Sequence, residues 1–339
     1  MMKPKDPAAK PIDSRLSRRR FVSIGAGAFV VAALPGITGA GWSRRRLVRR
    51  SVPVMGTIAD LMVVDVDERR ANDAIDTAIR ELQWVDATMS HFSTASDVGR
   101  ANLSAAAEAV PVSDATAVVL DASLRWAEAS AGRFDPCLGR ATALWRVDDR
   151  LEPPAAREIA ALPGMGTYRN LELDRRAGRH VVRFRSERLA LDLGGIAKGY
   201  GVDRAVGALR EAGVANALVN AGGDLYALGR SDDGNPWKVG VRNPHDPARL
   251  AVTLEMSDRG VATSGDYFQY FDHDGRRYHH LLDPATGEPR RSRHHSVTVA
   301  AATCMIADAA ATSVFGLDPD ASQALLERSA TGAEIVHSA

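Results

Sequence analysis

The segment from Leu189 to about Gly213 constrains the fold more than any other part of the 339-residue chain. An apolar run, Leu189 to Leu193, ends in the pair Gly194-Gly195, and a helical pattern begins directly after it. The order reads as strand, Gly-rich turn and helix start. Glycine has no Cβ, so backbone N–H groups in such a turn can close on an anion, and the helix N-terminus adds partial positive charge. Lys198 falls in the first helical turn. Two readings stay open on this segment alone: a phosphate or pyrophosphate cradle, or an ordinary strand-to-helix turn carrying a solvent lysine. No Ser or Thr follows Lys198, so the segment is no Walker A, and it lacks the G-x-G-x-x-G dinucleotide spacing.

The rest of the chain has globular composition, 45% hydrophobic and 25% charged, enough for one large domain or two modest ones. A net charge of +1 and sparse aromatics supply neither the basic field nor the stacking surface of a nucleic-acid binder. The first fifty residues differ. Ser17-Arg18-Arg19-Arg20-Phe21 opens a basic stretch, an apolar run continues to about Ala40, and Thr38-Gly39-Ala40 offers small residues for cleavage. The paired arginines mark a twin-arginine export signal, which predicts a periplasmic protein. The rival reading is an uncleaved membrane anchor, disfavoured by Pro35 and the glycines in the run. The expected organisation is a signal at 1–40, a basic linker at 41–50 and one domain at 51–339. Cys137 and Cys304 are the two cysteines; the default is two buried thiols, and nothing in the sequence pairs them.

Along the chain, 51–66 reads as strand interrupted at Met55-Gly56-Thr57. A helix is expected over 68–89, with Ala71, Ala74, Ile75, Ala78, Ile79, Leu82 and Val85 at helical spacing. A polar loop at 91–104 contains Phe92 and Asn102. Ser113 or Asp114 caps a second helix, which ends with Gly132 at C′ and Pro136 blocking resumption. Short strands follow at 171–173 and 180–184. A strand is expected over 217–228 around Asn220-Ala221-Gly222-Gly223-Asp224. Further strands are expected at 237–242, 250–256, 260–263, 277–282 and 296–302. Thr263 to Tyr267 and Asp283 to Gly287 read as turns, and helices are expected at 304–315 and 319–329. Strands and helices mix without strict βα alternation, which argues α+β with a mixed sheet.

Asp308 and Thr312 stand four apart in an otherwise apolar helix, hence on one face. A carboxylate and a hydroxyl so placed suit a hard cation such as Mg²⁺, or are incidental polar residues of a helix interior. His279 and His280 are adjacent in an expected strand, so one at most faces a given cleft. That one is a general base or a plain core or surface histidine. His294 and His295, with the basic run Arg290 to Arg293, read as solvated; His245 and His273 read as loop residues.

Taken in order, these segments resemble the ApbE family of FAD:protein FMN transferases. The resemblance rests on Met55-Gly56-Thr57, Met89-Ser90-His91-Phe92 with Asn102, Phe134-Asp135-Pro136, and Leu144-Trp145. It continues through LDLGGIAKGYGVD from Leu191, NAGGD from Asn220, TSGDY from Thr263, HLLDPATGEP from His280, and Asp308 with Thr312. It implies an α+β fold of mixed sheets and packed helices with FAD and Mg²⁺ in a cleft between two subdomains. It implies FMN transfer from FAD to a target threonine, with AMP released. By this similarity Asp308, Thr312 and a backbone carbonyl near Gly195 hold Mg²⁺. Met55, Phe92, Arg133, Phe134, Asp135, Asp192, Lys198 and Leu281 line the FAD site, and His280 is the base. The alternatives are an FAD pyrophosphatase on the same site and an FAD-binding carrier without turnover. The export signal resembles that of the NosX branch, which serves NosR; other branches serve Nqr- or Rnf-type subunits. Phe92 departs from the family's common tyrosine, and Cys137 and Ile306 also depart from the usual pattern.

Overall fold

The computed structural model describes residues 29–31, 46–65, 67–246 and 249–338. Apart from 29–31, the expected signal lies outside the described residues. A seven-stranded sheet organises the molecule, and its strands pair antiparallel throughout. In spatial order they are β15 (Glu334–Ser338), β14 (Ser296–Ala301), β11 (Arg259–Gly265), β8 (Asp224–Leu228), β7 (Ala217–Ala221), β3 (Thr57–Asp65) and β2 (Arg46–Val54).

This sheet is covered on both faces, and β3 shows how the sequence achieves it. Ala59, Leu61 and Val63 point to helices α1 (Glu68–Met89) and α6 (Ala197–Glu211). Met62 and Val64 point to the opposite face, onto β9 (Trp237–Arg242) and β10 (Leu250–Met256). Successive strand residues alternate sides, so a strand buried on both faces is apolar at nearly every position. The short strand β1 (Phe29–Val31) pairs with the outer edge of β9.

Helix α7 (Cys304–Val314) crosses α6 at close range. A Cβ added at Gly199 would sit 2.4 Å from the Cys304 carbonyl oxygen, so a glycine is required there by space. From α6, Asp203 accepts the Cys304 and Met305 N–H groups at 2.8 Å each, capping α7 from outside its own chain segment. Burial raises the Asp203 pKa to about 6.

On its other flank α7 shares a core with α3 (Asp114–Ala129), α8 (Pro319–Ser329) and a sheet of β4 (Val110–Val112), β6 (Arg179–Phe184) and β5 (Leu171–Arg176). A smaller core joins α4 (Gly139–Trp145) to the hairpin of β12 (Tyr270–His273) and β13 (Arg276–His279) through Ala141, Trp145, Phe271 and Leu282. The architecture is α+β, as the sequence implies; one bridge, Leu138 to Ala190, runs parallel.

Several expected elements differ in detail. The apolar run before Gly194 is extended but makes a single bridge at Ala190 rather than a strand, because Asn102 occupies its edge. The Asn102 amide donates to the Leu191 carbonyl at 3.0 Å and accepts the Leu191 N–H at 2.6 Å. Asn102 itself belongs to α2 (Asp97–Ser104), a helix inside the expected loop, capped by Ser96. Residues 46–50, expected as linker, form the first half of β2. The expected strand over 217–228 is the β7–β8 hairpin. Helix α3 ends in a Schellman motif in which Ala131 (φ +53°) takes C′ and Gly132 takes C″. His273 ends β12 rather than lying in a loop, and β13 stops at His279, one residue short of His280.

Candidate active site

Three charged side chains converge where α6 begins. The β7–β8 turn has Gly222 at φ +63° and Gly223 at φ +103°, a two-residue geometry open to glycine, and it delivers Asp224 at the first position of β8. Lys198 Nζ lies 2.7 Å from Asp224 Oδ2, 3.5 Å from Asp308 Oδ2 and 3.3 Å from the Gly194 carbonyl oxygen. Asp308 Oδ2 also accepts the Gly199 N–H at 3.0 Å. Two buried carboxylates thus share one ammonium. Burial and the neighbouring Asp308 push the Asp224 pKa up. Burial opposes charge on Lys198, but the two carboxylates overrule it and raise its pKa. The ammonium therefore faces carboxylates, rather than the bound anion or the open solvent that the sequence leaves as alternatives.

One turn along α7 from Asp308, the Thr312 hydroxyl lies 3.5 Å from Ser264 Oγ. A Cβ added at Gly195 would meet Thr312 Cγ2 and Oγ1 at 3.0 and 3.1 Å, so Gly195 turns bare backbone to Thr312. The three expected cation ligands therefore cluster at the α6–α7 crossing. Among the described residues no group of three or more His, Cys, Asp or Glu could hold a metal ion. A cation here would rest on one carboxylate, one hydroxyl and backbone oxygen, a donor set of the Mg²⁺ type. Asp308, 3.5 Å from the Lys198 ammonium, is the one carboxylate of that set, and the oxygen-only donors fit a small hard cation.

Asp192 builds the next layer. Its Oδ1 accepts the Gly194 N–H at 2.8 Å and faces His91 Nδ1 at 3.3 Å, and its Oδ2 accepts the Thr142 hydroxyl at 2.7 Å. Burial alone would raise its pKa; His91, Thr142 and Gly194 together outweigh that and hold it at about 2. The His91 pKa rises in turn, because Asp192 outweighs the cost of burial. The His91 ring lies against Phe92, centroids 3.9 Å apart, and Phe92 is 78% exposed.

His280 follows β13 as a bend. Its N–H donates to the Gln269 carbonyl oxygen at 3.1 Å, and Nδ1 lies 3.3 Å from the same oxygen. An Nδ1–H bonded there leaves the lone pair on Nε2. Burial, His279 and Lys198 pull the ring's pKa well below 6.5, with Gln269 and Asp192 opposing. The ring is thus neutral near pH 7, and the charges of the buried cluster reach it. His279 is closed to chemistry: Nε2 lies 2.9 Å from the Arg290 carbonyl oxygen and Nδ1 accepts the Leu281 N–H.

The remaining expected residues divide. Met55, at φ +52° in the β2–β3 turn, donates its N–H to Asp86 and sets its sulfur against Gly201 of α6. Phe134 lies against Gly195. Asp135 points inward, its two oxygens accepting from Cys137 N, Thr167 Oγ1 and Tyr168 N, so it shapes the segment from within. Arg133 donates to the Phe315 carbonyl oxygen at 3.0 Å, and Leu281 is buried. Trp145 donates its indole N–H to the Gly287 carbonyl oxygen at 2.6 Å, fastening the Asp283 to Gly287 turn. Cys137 and Cys304 are free and buried.

The ApbE family model matches residues 55–336. The chain belongs to the ApbE family. A Vibrio cholerae FAD:protein FMN transferase is 32% identical over 285 residues, 83% of this chain and 84% of that protein. A Treponema pallidum FAD:protein FMN transferase is 33% identical over 305 residues, 84% and 83% of the two chains. The crystal structure of an ApbE protein from Thermotoga maritima superposes with a TM-score of 0.76 at 30% identity, over 86% of this chain and 97% of that one. The flavin transferase ApbE from Vibrio cholerae gives a TM-score of 0.74 at 29% identity, over 86% and 93%.

In this ApbE chain, sequence reasoning missed three residues. Asp224 was hidden in what reads as a simple Gly turn. His91 stands in the stretch Met89-Ser90-His91-Phe92, of which Phe92 alone is given a role. Arg290, expected as solvated, is 7% exposed. His295 is likewise engaged, with Nδ1 at 2.8 Å from Asp266.

Proposed function

We propose that this protein transfers FMN from FAD to the hydroxyl of a threonine in a target flavoprotein, in a Mg²⁺-dependent reaction. The acceptor oxygen bonds to the FMN phosphorus, the pyrophosphate P–O bond breaks, and AMP leaves. Mg²⁺, when bound at Asp308, Thr312 and Gly195, supplies positive charge to the pyrophosphate oxygens. His280 Nε2 takes the proton of the attacking hydroxyl. Asp192, His91 and the Gly194 N–H keep the Gly-rich segment in one conformation, and Phe92 offers a flat exposed ring to the flavin or adenine. Transfer of this kind depends on placement and charge, which a fixed backbone supplies.

The observation that carries the reading is His280. It is a neutral imidazole, only partly buried, held by the Gln269 carbonyl oxygen and close enough to Lys198 and Asp192 to feel their charges. The twin-arginine signal supports a periplasmic site of action, and NosR-, Nqr- or Rnf-type subunits are the targets to try. The test mixes protein lacking residues 1–45 with FAD, Mg²⁺ and an acceptor domain, followed by a denaturing gel. A fluorescent acceptor band that EDTA abolishes is expected. Release of FMN and AMP with no acceptor labelled would replace the transferase by a pyrophosphatase, and tight FAD binding with no cleavage would replace it by a carrier.

A further inference from the structure

Arg290 is a buried cation that no carboxylate pairs with among the described residues. Its guanidinium bonds to main-chain oxygens instead. Nε donates to Leu282 O at 3.0 Å, Nη1 to Thr312 O at 2.6 Å and Phe315 O at 3.1 Å, and Nη2 to Arg133 O. Its own backbone joins in: the N–H donates to Leu281 O at 2.9 Å, and the carbonyl lies 2.9 Å from His279 Nε2. Residues 279, 281 and 282 are therefore all tied to Arg290. Of the four residues 279–282, His280 alone is not buried, and its ring lies against the Gln269 carbonyl oxygen.

The far end of the same guanidinium holds the C-terminal turn of α7, including the carbonyl of Thr312 itself. Helix C-termini carry partial negative charge, which accounts for the choice of a cation. The choice is not explained by stability. Burial and the adjacent Arg133 oppose the charge, with Asp283 helping from farther off, and the pKa falls to about 9. Apolar residues in place of a buried charge are often neutral or stabilising, whereas a planar fork of donors fixes several segments in one geometry.

We propose that Arg290 is a positioning residue that sets the His280 loop against the Thr312 turn of α7, and so sets the base against the cation site. The inference rests on the FMN-transfer reading. Every bond Arg290 makes here is to main chain, so it acts through Leu281, Leu282 and the Thr312 backbone.

The test compares wild type with Arg290→Ala and Arg290→Lys in the full-length exported protein. Turnover at saturating FAD and Mg²⁺ should fall about 100-fold in Arg290→Ala, the size expected of a small misplacement of reacting groups. The Mg²⁺ needed for half-maximal turnover should rise about 10-fold, as for loss of an outer partner of a metal ligand. The FAD dissociation constant should stay within about threefold, because the loss is in placement rather than in binding. Millimolar guanidinium should restore part of the turnover of Arg290→Ala, and Arg290→Lys should fall between the two. Amide exchange, measured without turnover, should quicken together in 279–283 and 310–316. Turnover of Arg290→Ala within about threefold of wild type would overturn the proposal. So would a loss that tracks melting and that guanidinium does not relieve. Wild type that labels no acceptor would count against the transferase reading, while the paired change in amide exchange would still decide whether Arg290 couples the two segments.

Discussion

The two halves of the candidate site are held in opposite ways. Asp224, Lys198 and Asp308 sit at the starts or inside of regular elements, are buried or nearly so, and take each other as partners. Phe92, His91 and His280 sit on loops or bends, partly or largely open to solvent, and each is oriented by one neighbour: His91 for Phe92, Asp192 for His91, Gln269 for His280. Fixed charge acts most strongly where water cannot screen it, so the charged half belongs inside. Groups that must meet a protein partner have to stay at the rim. The comparison predicts that changes to the inner half cost stability and cation binding, and that changes to the rim cost rate or substrate affinity alone.

The largest expected effect is at the rim. His280→Ala should lower the transfer rate by about 10²–10⁴-fold with the fold intact, as for loss of a general base. In wild type the rate should climb as pH rises through the pKa of His280 and level off, with the half-way point below 6.5, because burial and nearby positive charge favour the neutral ring. A half-way point above 6.5 would contradict this, and steady-state rates across pH decide it.

Next comes the inner half. Lys198→Met leaves two buried carboxylates without their cation and should cost about 3–5 kcal/mol in urea unfolding. Adding Asp224→Asn to it should recover part of that loss; a double variant no more stable than the single one would break the charge-sharing account.

Asp192 lies between the halves and should show an intermediate effect. Its pKa falls from 3.8 unfolded to about 2 folded, so its ionised form contributes roughly 2 kcal/mol above the unfolded value. That contribution disappears as pH falls through the folded value. Asp192→Asn should therefore be less stable than wild type at pH 7, and the gap should close between about pH 4 and 2. The smallest effect belongs to Phe92→Ala, with KM for FAD up roughly fivefold. Unfolding free energy should change by no more than about 0.5 kcal/mol.

Much of this was legible in the chain because it rests on local pattern. The four-residue spacing of Asp308 and Thr312 survives into the structure because a helix fixes it, and the adjacent His279 and His280 face different partners, Arg290 and Gln269. Helix α1 matches its apolar spacing over its whole length. What escaped depends on distant partners. Arg290 sits in the run Arg290 to Arg293, where local charge density implies solvent, yet the α7 C-terminus, Leu282 and Arg133 take its donors and draw it inside. Lys198 looks free in sequence because Asp224 and Asp308 come from other elements. The run Leu189 to Leu193 lacks strand partners because the Asn102 side chain takes the place of a neighbouring strand, which no hydrophobic pattern encodes.

The division between the halves is tested most directly by titrating FAD calorimetrically, with and without Mg²⁺, into Asp308→Asn and His280→Ala side by side. The account predicts that Asp308→Asn loses the Mg²⁺-dependent part of FAD binding while His280→Ala keeps it. Equal loss in both variants, or Mg²⁺-dependent binding that survives in Asp308→Asn and fails in His280→Ala, would contradict it.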